Sequence, residues 1–222
     1  MMIDAFIFDL DGTLVDTELI WADAMCAYLA DRQCRCAKDE MLRIVFGRSW
    51  SDIYREITGR FPTLATTPAH VMASGLRAYY LKLRSQGDNI IIRSSSDLLK
   101  ALATRYPVII VSGSPRADVE EAVNLLDAAQ QIRLYLGAED YAPGKPSPAG
   151  FLKGADRLGV PPQNCVVFED SSAGVAAAKA AGMWCVALAR PQAHRQDLTA
   201  ADWILTDLAD FSIEAFKQHM ET

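Results

Sequence analysis

Two carboxylates follow a short apolar run near the start of the chain. The apolar residues 5–8 precede Asp9, and Asp11 and Gly12 come directly after it. Such a run predicts a buried strand of a parallel sheet. Acids at the carboxyl end of such a strand lie where α/β proteins bind their ligands. Asp9 and Asp11 can therefore share a metal or a substrate; if the chain turns after Asp9, Asp11 can offer the metal its backbone carbonyl and keep its carboxyl for proton transfer.

Further polar residues follow two later apolar runs, residues 107–111 and 165–168. Lys145 lies in a loop between these runs. Because the carboxyl ends of parallel strands meet at one edge of a sheet, we expect a single site there. Besides the first two acids, its predicted members are Ser112, Gly113, Ser114, Lys145, Glu169 and Asp170.

Three or four acids in one site need positive charge nearby. Lys145 supplies one charge, and a hard divalent ion is the natural second. Carboxylate oxygens favour Mg²⁺, which keeps several waters and so needs few protein ligands. We expect Asp9, the backbone carbonyl of Asp11 and the carboxylate of Asp170 to bind Mg²⁺. Glu169 would bind it directly or through a water.

The remaining groups suit the binding of a phosphoryl group. The hydroxyl of Ser112 and the N–H groups of Gly113 and Ser114 can hold an oxyanion, helped by the N-terminus of the following helix. Mg²⁺ and the lysine would neutralise the phosphoryl oxygens while Asp9 attacks phosphorus in line. Asp11 would protonate the leaving alcohol and then activate water to hydrolyse the aspartyl phosphate.

Alternating strand-like and helix-like segments position these residues. From about residue 88 onward, β-branched runs alternate with amphipathic stretches, which predicts a parallel sheet with helices on both faces. Ser94, Ser95 and Ser96 offer an N-cap to the first helix of this part. The strand before Asp9 belongs to the same sheet. The predicted fold class is therefore α/β, with a Rossmann-like parallel-sheet core.

The segment between the first strand and the rest of the sheet has a different pattern. Apolar residues recur there at helical spacing, and no strand is evident. We predict an all-helical cap domain inserted into the core. The predicted boundaries are residues 1–15 and 88–222 for the core and 16–87 for the cap.

Charge and hydropathy exclude several function classes. A net charge of −6 over 222 residues argues against nucleic-acid or anionic-membrane binding as the main activity. No apolar run is long enough to span a bilayer, and the N-terminus lacks the pattern of a signal peptide. The five cysteines are odd in number and recur in no CxxC pair, so we expect reduced thiols and a cytoplasmic location.

Four motifs of the chain resemble, in order and spacing, those of the haloacid dehalogenase-like hydrolase superfamily. They are DLDGT from Asp9, VSGS from Val111, GKPSP from Gly144 and FEDSSAG from Phe168. The helical insertion resembles the four-helix cap of the subgroup that contains β-phosphoglucomutase and small sugar-phosphate phosphatases. The resemblance implies an aspartyl-phosphate intermediate, Mg²⁺, and a cap that opens and closes over a small phosphorylated metabolite.

Departures from the family pattern separate its members. Dehalogenases lack the second aspartate, which is present here as Asp11. β-Phosphoglucomutases carry a histidine in the first cap helix and an arginine in a cap loop, where this chain has Trp21 and Trp50, with Arg48 nearby. The run from Asp16 to Trp21 instead resembles hexose- and hexitol-phosphate phosphatases. The preferred prediction is therefore a Mg²⁺-dependent phosphatase for a sugar or polyol phosphate.

Five further residues are candidate substrate contacts. Trp21 could gate the substrate, and Arg48 and Ser49 lie in a predicted break between cap helices. Glu18 is close to Trp21 in sequence, and Arg116 follows the predicted phosphate-binding run. The plain alternatives are helix packing for the tryptophan and a solvated surface for the charged residues.

Two other functions fit the same site. A phosphosugar mutase would use the same chemistry on a substrate that is rephosphorylated. A phosphoacceptor or regulatory binding protein would keep the aspartate, hydroxyl and lysine, as receiver domains do, but those domains lack the second acid and the helical cap. We expect a monomer, because the cap must move.

Overall fold

The computed structural model describes residues 2–45, 50–84, 90–190 and 196–221. By its internal contacts the chain divides into two compact units. The sheet unit comprises the residues up to Val15 and those from Ile91 onward, and the helical unit is Asp16–Ile90. Within the described residues, no helix is long and apolar enough to cross a bilayer.

The sheet unit is built on six parallel strands in the order β3-β2-β1-β4-β5-β6. Its strands are β1 (Ala5–Phe8), β2 (Val108–Val111), β3 (Leu134–Leu136), β4 (Cys165–Glu169), β5 (Trp184–Leu188) and β6 (Trp203–Leu205). Its helices are α5 (Arg93–Ala103), α6 (Arg116–Leu125), α7 (Ala149–Leu158), α8 (Ser172–Ala180) and α9 (Ile213–His219). The predicted Rossmann-like α/β class is confirmed.

Both faces of the central strands are buried. On one face, Ile7 of β1 lies in an apolar cluster with Phe151 of α7 and Val175 of α8. On the other face, Phe6 and Phe8 stack on Phe168, with ring centroids 6.0 and 4.5 Å apart. The continuous apolar runs of the sequence are thus strands covered on two sides, as such runs predict.

The strand order places a topological switch point at β1. Phe8 is in register with Ile110 of β2 and with Phe168 of β4, so the carboxyl ends of the three strands lie level. The chain continues from β1 to β2 and β3 on one side and then crosses to β4, β5 and β6 on the other side. This change of direction between β1 and β4 opens a crevice for ligands. The residues directly after these strands include Asp9, Ser112 and Asp170.

The helical unit consists of α1 (Thr17–Ala30), α2 (Lys38–Val45), α3 (Trp50–Arg60) and α4 (Ala69–Arg84). Its own core is an apolar cluster that includes Tyr28, Met41, Ile57 and Leu76. Helices α1 and α4 pack closely, and a Cβ atom on Gly75 of α4 would lie 2.8 Å from the ring of Tyr28. These four helices lie within the segment 16–87, for which the sequence pattern predicts helices.

The serine N-cap predicted for the first helix after the insertion is wrong. Helix α5 begins at Arg93 with Ile92 as its N-cap, so the three serines lie inside the first turns. Ile91 forms a β-bridge with Val15, and the N–H of Ile92 donates to the carbonyl of Leu14. These contacts hold the chain extended up to Ile92, and the helix starts at the next residue.

Candidate active site

The first acid of the site extends the sheet. Asp9 follows β1, is buried, and its N–H donates to the carbonyl of Phe168 at 2.9 Å. The chain then turns, with Gly12 at φ +87° and its N–H bonded to the carbonyl of Val15. A positive φ favours glycine, which explains why this residue type follows Asp11.

Glu169 is the last residue of the neighbouring strand β4, and Asp170 follows it directly. One carboxylate oxygen of Glu169, Oε2, accepts three hydrogen bonds, from the N–H groups of Asp170 and Ser171 and from the Ser171 hydroxyl. Ser171 also caps α8 by accepting from the N–H of Gly174 at 3.0 Å. Glu169 is fully buried, and these bonds fix the direction of its carboxyl group.

Lys145 bridges the two strands. Its ammonium donates to Oδ1 of Asp9 and to Oε1 of Glu169. Burial would lower the pKa of Lys145, but the two carboxylates outweigh it and hold that pKa above the ordinary lysine value. The side chain is therefore a permanent cation between two buried acids.

The acids exceed the positive charge that the lysine supplies. Burial raises the pKa of Asp9 to about 8, the Lys145 ammonium opposes this rise, and the carboxyls of Glu169 and Asp11 add to it. A ligand oxygen from each of Asp9, Glu169 and Asp170 lies within 4.8 Å of the others. Buried carboxylates in excess of their cation fit a hard divalent metal, which would also favour ionised Asp9.

The loop Ser112–Ser114, called here the serine loop, follows β2. Oδ2 of Asp11 accepts from the hydroxyls of Ser112 at 3.2 Å and Ser114 at 2.6 Å. The N–H of Ser114 donates to Oγ of Ser112 at 2.9 Å. The structure thus brings the carboxylate of Asp11 together with the hydroxyls of Ser112 and Ser114. Asp9 follows β1, the strand next to β2, so this group lies on the same edge of the sheet.

Arg116 makes protein contacts of its own. Its guanidinium donates from Nη1 to both carboxylate oxygens of Asp140 at 2.7 Å, and its backbone N–H donates to Oε2 of Glu139 at 2.8 Å. Half of the Arg116 side chain is exposed, which limits the strength of the ion pair. These contacts tie the start of α6 to the segment after β3.

The other predicted substrate residues belong to the helical unit. Trp21 stacks on the buried ring of Tyr80, with centroids 4.2 Å apart, so the packing interpretation of this tryptophan has direct support. Glu18 lies in α1, but its side chain is outside the described part of the structure, as are Arg48 and Ser49 altogether.

Three further residues contact the site. The Thr13 hydroxyl donates to Oδ1 of Asp170 at 3.3 Å, and Ser171 donates to Glu169 as described. Thr13 and Ser171 lie inside the motifs DLDGT and FEDSSAG, so their position in these motifs could have marked them as site residues. Tyr141 donates its hydroxyl to the carbonyl of Ser112 at 2.9 Å, and no motif marks it.

The fold and the site together define a class of protein. A doubly wound parallel sheet that carries a lysine, hydroxyls and clustered carboxylates at its switch point is built for phosphoryl transfer. The chain belongs to the haloacid dehalogenase-like hydrolase family, whose model matches residues 3–182. The predicted family and the predicted enzyme class, a phosphatase of this type, are confirmed.

Named relatives include phosphatases of phosphorylated carbohydrates and related compounds. The chain is 32% identical over 205 residues to a validoxylamine A 7'-phosphate phosphatase of Streptomyces hygroscopicus subsp. limoneus, covering 92% of this chain and 93% of that protein. It is 30% identical over 220 residues to hexitol phosphatase A of Escherichia coli, a match that covers 96% of this chain and 95% of that protein. Among solved structures, a β-phosphoglucomutase of Clostridium difficile matches with a TM-score of 0.77 and 25% identity. The match covers 99% of this chain and 98% of that one.

Proposed function

We propose that this protein is a Mg²⁺-dependent phosphatase that hydrolyses a small sugar or polyol phosphate through an aspartyl phosphate on Asp9. The observation that carries the proposal is the position of Lys145 between Asp9 and Glu169, with Asp11 held by the serine loop. These groups supply a nucleophile, a cation for the phosphoryl oxygens and a second acid in one site.

Four residues would hold the metal. Asp9 and Asp170 offer carboxylate oxygens, and Asp11 offers its backbone carbonyl. Both oxygens of Glu169 already accept hydrogen bonds, from Lys145 on one side and from three donors on the other. We therefore assign Glu169 to a metal-bound water. When bound, Mg²⁺ supplies positive charge to the phosphoryl oxygens.

The protein's residues then divide the reaction between them. A carboxylate oxygen of Asp9 attacks phosphorus, the ester P–O bond breaks, and Asp11 gives its proton to the leaving alcohol. Asp11 next takes a proton from water as that water attacks phosphorus, which releases inorganic phosphate and restores Asp9. Lys145 and the serine loop hold the phosphoryl oxygens in both steps.

The relatives' names support the substrate class. Validoxylamine A 7'-phosphate and hexitol phosphates are polyhydroxylated phosphomonoesters, the chemistry that we propose here. Glu18, Trp21, Arg48 and Ser49 stay predicted substrate residues. We propose that Arg116 acts on the site through Asp140 and Glu139, the partners it has in the structure.

A cytoplasmic monomer completes the proposal. All five cysteines are free thiols, as in proteins of a reducing compartment. Sedimentation of the purified protein would measure its oligomeric state.

Phosphate release from a panel of hexose, hexitol and pentose phosphates tests the proposed function. Wild-type protein with Mg²⁺ should release inorganic phosphate, and Asp9→Asn should release none. Equal turnover by Asp9→Asn would overturn the mechanism. A phosphorylated protein that persists for minutes, with no turnover on any ester, would instead identify a phosphoacceptor.

A phosphosugar mutase is the second candidate, favoured by the likeness to a β-phosphoglucomutase. Against it, Trp21 stands where mutases of this type carry a histidine, and it packs on Tyr80. An isomerised hexose phosphate formed without free phosphate would identify a mutase.

A further inference from the structure

Tyr141 connects the lysine-bearing loop to the serine loop. It lies four residues before Lys145, between β3 and α7, and its hydroxyl donates to the carbonyl of Ser112 at 2.9 Å. Its ring covers the first turn of α7, since a Cβ atom on Gly150 would lie 2.7 Å from it. Burial raises the pKa of the hydroxyl, so the group stays a hydrogen-bond donor at neutral and mildly alkaline pH.

The hydrogen bond from Tyr141 fixes the orientation of the whole peptide group between Ser112 and Gly113. The carbonyl of Ser112 and the N–H of Gly113 belong to one peptide group, which is planar and points the two in opposite directions. Holding the Ser112 oxygen toward Tyr141 therefore sets the direction of the Gly113 N–H.

The Gly113 N–H is the amide of the serine loop that is left for a ligand. The N–H of Ser112 donates to the carbonyl of Leu136, and that of Ser114 donates to Oγ of Ser112. Across the described ranges, the N–H of Gly113 has no protein acceptor. Gly113 is exposed, and a Cβ atom built on it would meet no heavy atom within 4 Å, so an oxyanion can approach.

Neighbouring contacts hold the other end of the serine loop. The N–H of Ala138 donates to the carbonyl of Ser114 at 2.9 Å. Asp140 pairs with Arg116 just beyond it. Tyr141 acts at the Ser112 end, so the peptide between Ser112 and Gly113 depends on it.

We propose that Tyr141 is a positioning residue for phosphate binding, which acts by orienting the Gly113 N–H through the Ser112 carbonyl. The inference rests on the proposed function, because it takes the serine loop to bind the phosphoryl group. Tyr141 itself need not touch the substrate.

Tyr141→Phe removes the hydroxyl and keeps the ring over α7. The KM of a phosphate ester and the inhibition constant of inorganic phosphate should both rise about 3- to 10-fold, the range that one hydrogen bond is worth. A merely structural role would reduce the active fraction, and so kcat, with both constants unchanged.

Tyr54→Phe is the matched control. The Tyr54 hydroxyl also donates to a backbone carbonyl, that of Thr67, at 2.8 Å, but in the helical unit. The Tyr54→Phe variant should lose about as much thermal stability as Tyr141→Phe, because each loses one hydrogen bond to a backbone carbonyl. Its inhibition constant for phosphate should equal that of the wild type. Equal constants for wild type and Tyr141→Phe, or an equal rise in both tyrosine variants, would overturn the proposal.

A measurement on amide resonances separates this inference from the proposed function. Titration of ¹⁵N-labelled wild-type protein with inorganic phosphate should move the Gly113 amide resonance, and Tyr141→Phe should need about 3- to 10-fold more phosphate for the same change. Identical titrations of the two proteins would reject the role of Tyr141 whether or not the enzyme turns over. If the titrations behave as predicted but the protein releases phosphate from no ester, only the proposed function is rejected.

Discussion

The carboxylate of Asp170 occupies the space where a side chain on Gly12 would be. A Cβ atom on Gly12 would lie 2.0 Å from Oδ2 of Asp170. The turn after β1 can therefore lie against Asp170, directly after β4, only because Gly12 has no side chain. Thr13, the next residue, donates to the same carboxylate.

Gly12→Ala should disable the metal site. The new methyl would displace the Asp170 carboxylate, and the positive φ would add strain of about 1 kcal/mol. We expect the Mg²⁺ concentration for half-maximal activity to rise at least about tenfold, the effect typical of disturbed metal-site geometry. Gly159→Ala is the control, because Gly159 also has a positive φ, +67°, but no heavy atom within 4 Å of its Cβ position. A similar loss in both variants would mean that strain, and not Asp170, is responsible.

Gly174→Ala tests the packing of Glu169. A Cβ atom on Gly174 would lie 1.8 Å from Oε1 of Glu169, the oxygen that accepts from Lys145. Because alanine favours helix over glycine by about 1 kcal/mol, a lower kcat could not come from a weaker α8. We expect kcat to fall at least about tenfold, as when supporting contacts of a site are lost.

Gly59→Ala provides the comparison for that experiment. Gly59 lies in α3, and no heavy atom is within 4 Å of its Cβ position. Its kcat should equal that of the wild type, with equal or higher thermal stability. Unchanged kcat in Gly174→Ala would show that Glu169 has room to move.

Lys145→Met should remove both activity and stability. It leaves Asp9 and Glu169 buried without their cation, a loss that costs about 3–5 kcal/mol when one partner of a buried pair is removed. We expect kcat to fall at least about 100-fold, as for other groups that stabilise transition-state charge. Steady-state kinetics and urea unfolding at pH 8 measure the two effects.

Lys179→Met controls for the loss of a lysine. Lys179 pairs with Asp202 in the sheet unit, where the two side chains are 35% and 14% exposed. We expect it to lose about 1 kcal/mol of stability, as for partly exposed pairs, and to keep its kcat. A variant Lys145→Met as active as Lys179→Met would contradict the assigned role of Lys145.

The sequence could predict the strand ends but not the contacts among them. Asp9 and Glu169 each follow an apolar run, and the geometry of parallel strands then requires them to meet. The hydrogen bond from Tyr141 to Ser112 joins two loops, whose conformations depend on packing that no periodicity records. The stacking of Trp21 on Tyr80 likewise joins α1 to α4, and residue spacing within one helix cannot show it.

We expect Asp9 to be largely protonated at neutral pH in the metal-free protein. Its pKa is about 8 in the folded state, against an ordinary value of 3.8, because burial disfavours the carboxylate. Between these values the folded state binds a proton that the unfolded state has lost, so this group makes the free energy of unfolding fall as pH rises. The penalty is absent below about pH 4 and complete above about pH 8.

Asp9→Asn should therefore be more stable than the wild type in EDTA, by a margin that grows from pH 5 to pH 8. Thermal unfolding at pH 5, 6.5 and 8 measures that margin, and Mg²⁺ should reduce it by binding the ionised wild-type site. Asp197→Asn is the control, because the Thr199 hydroxyl and N–H lower the pKa of exposed Asp197. Its contribution is present throughout this window and is lost only as pH falls toward the lowered value, so the difference from wild type should stay constant from pH 5 to pH 8. A constant margin for Asp9→Asn as well would mean that Asp9 is ionised in the folded protein without metal, with Lys145 alone sufficient to hold its charge.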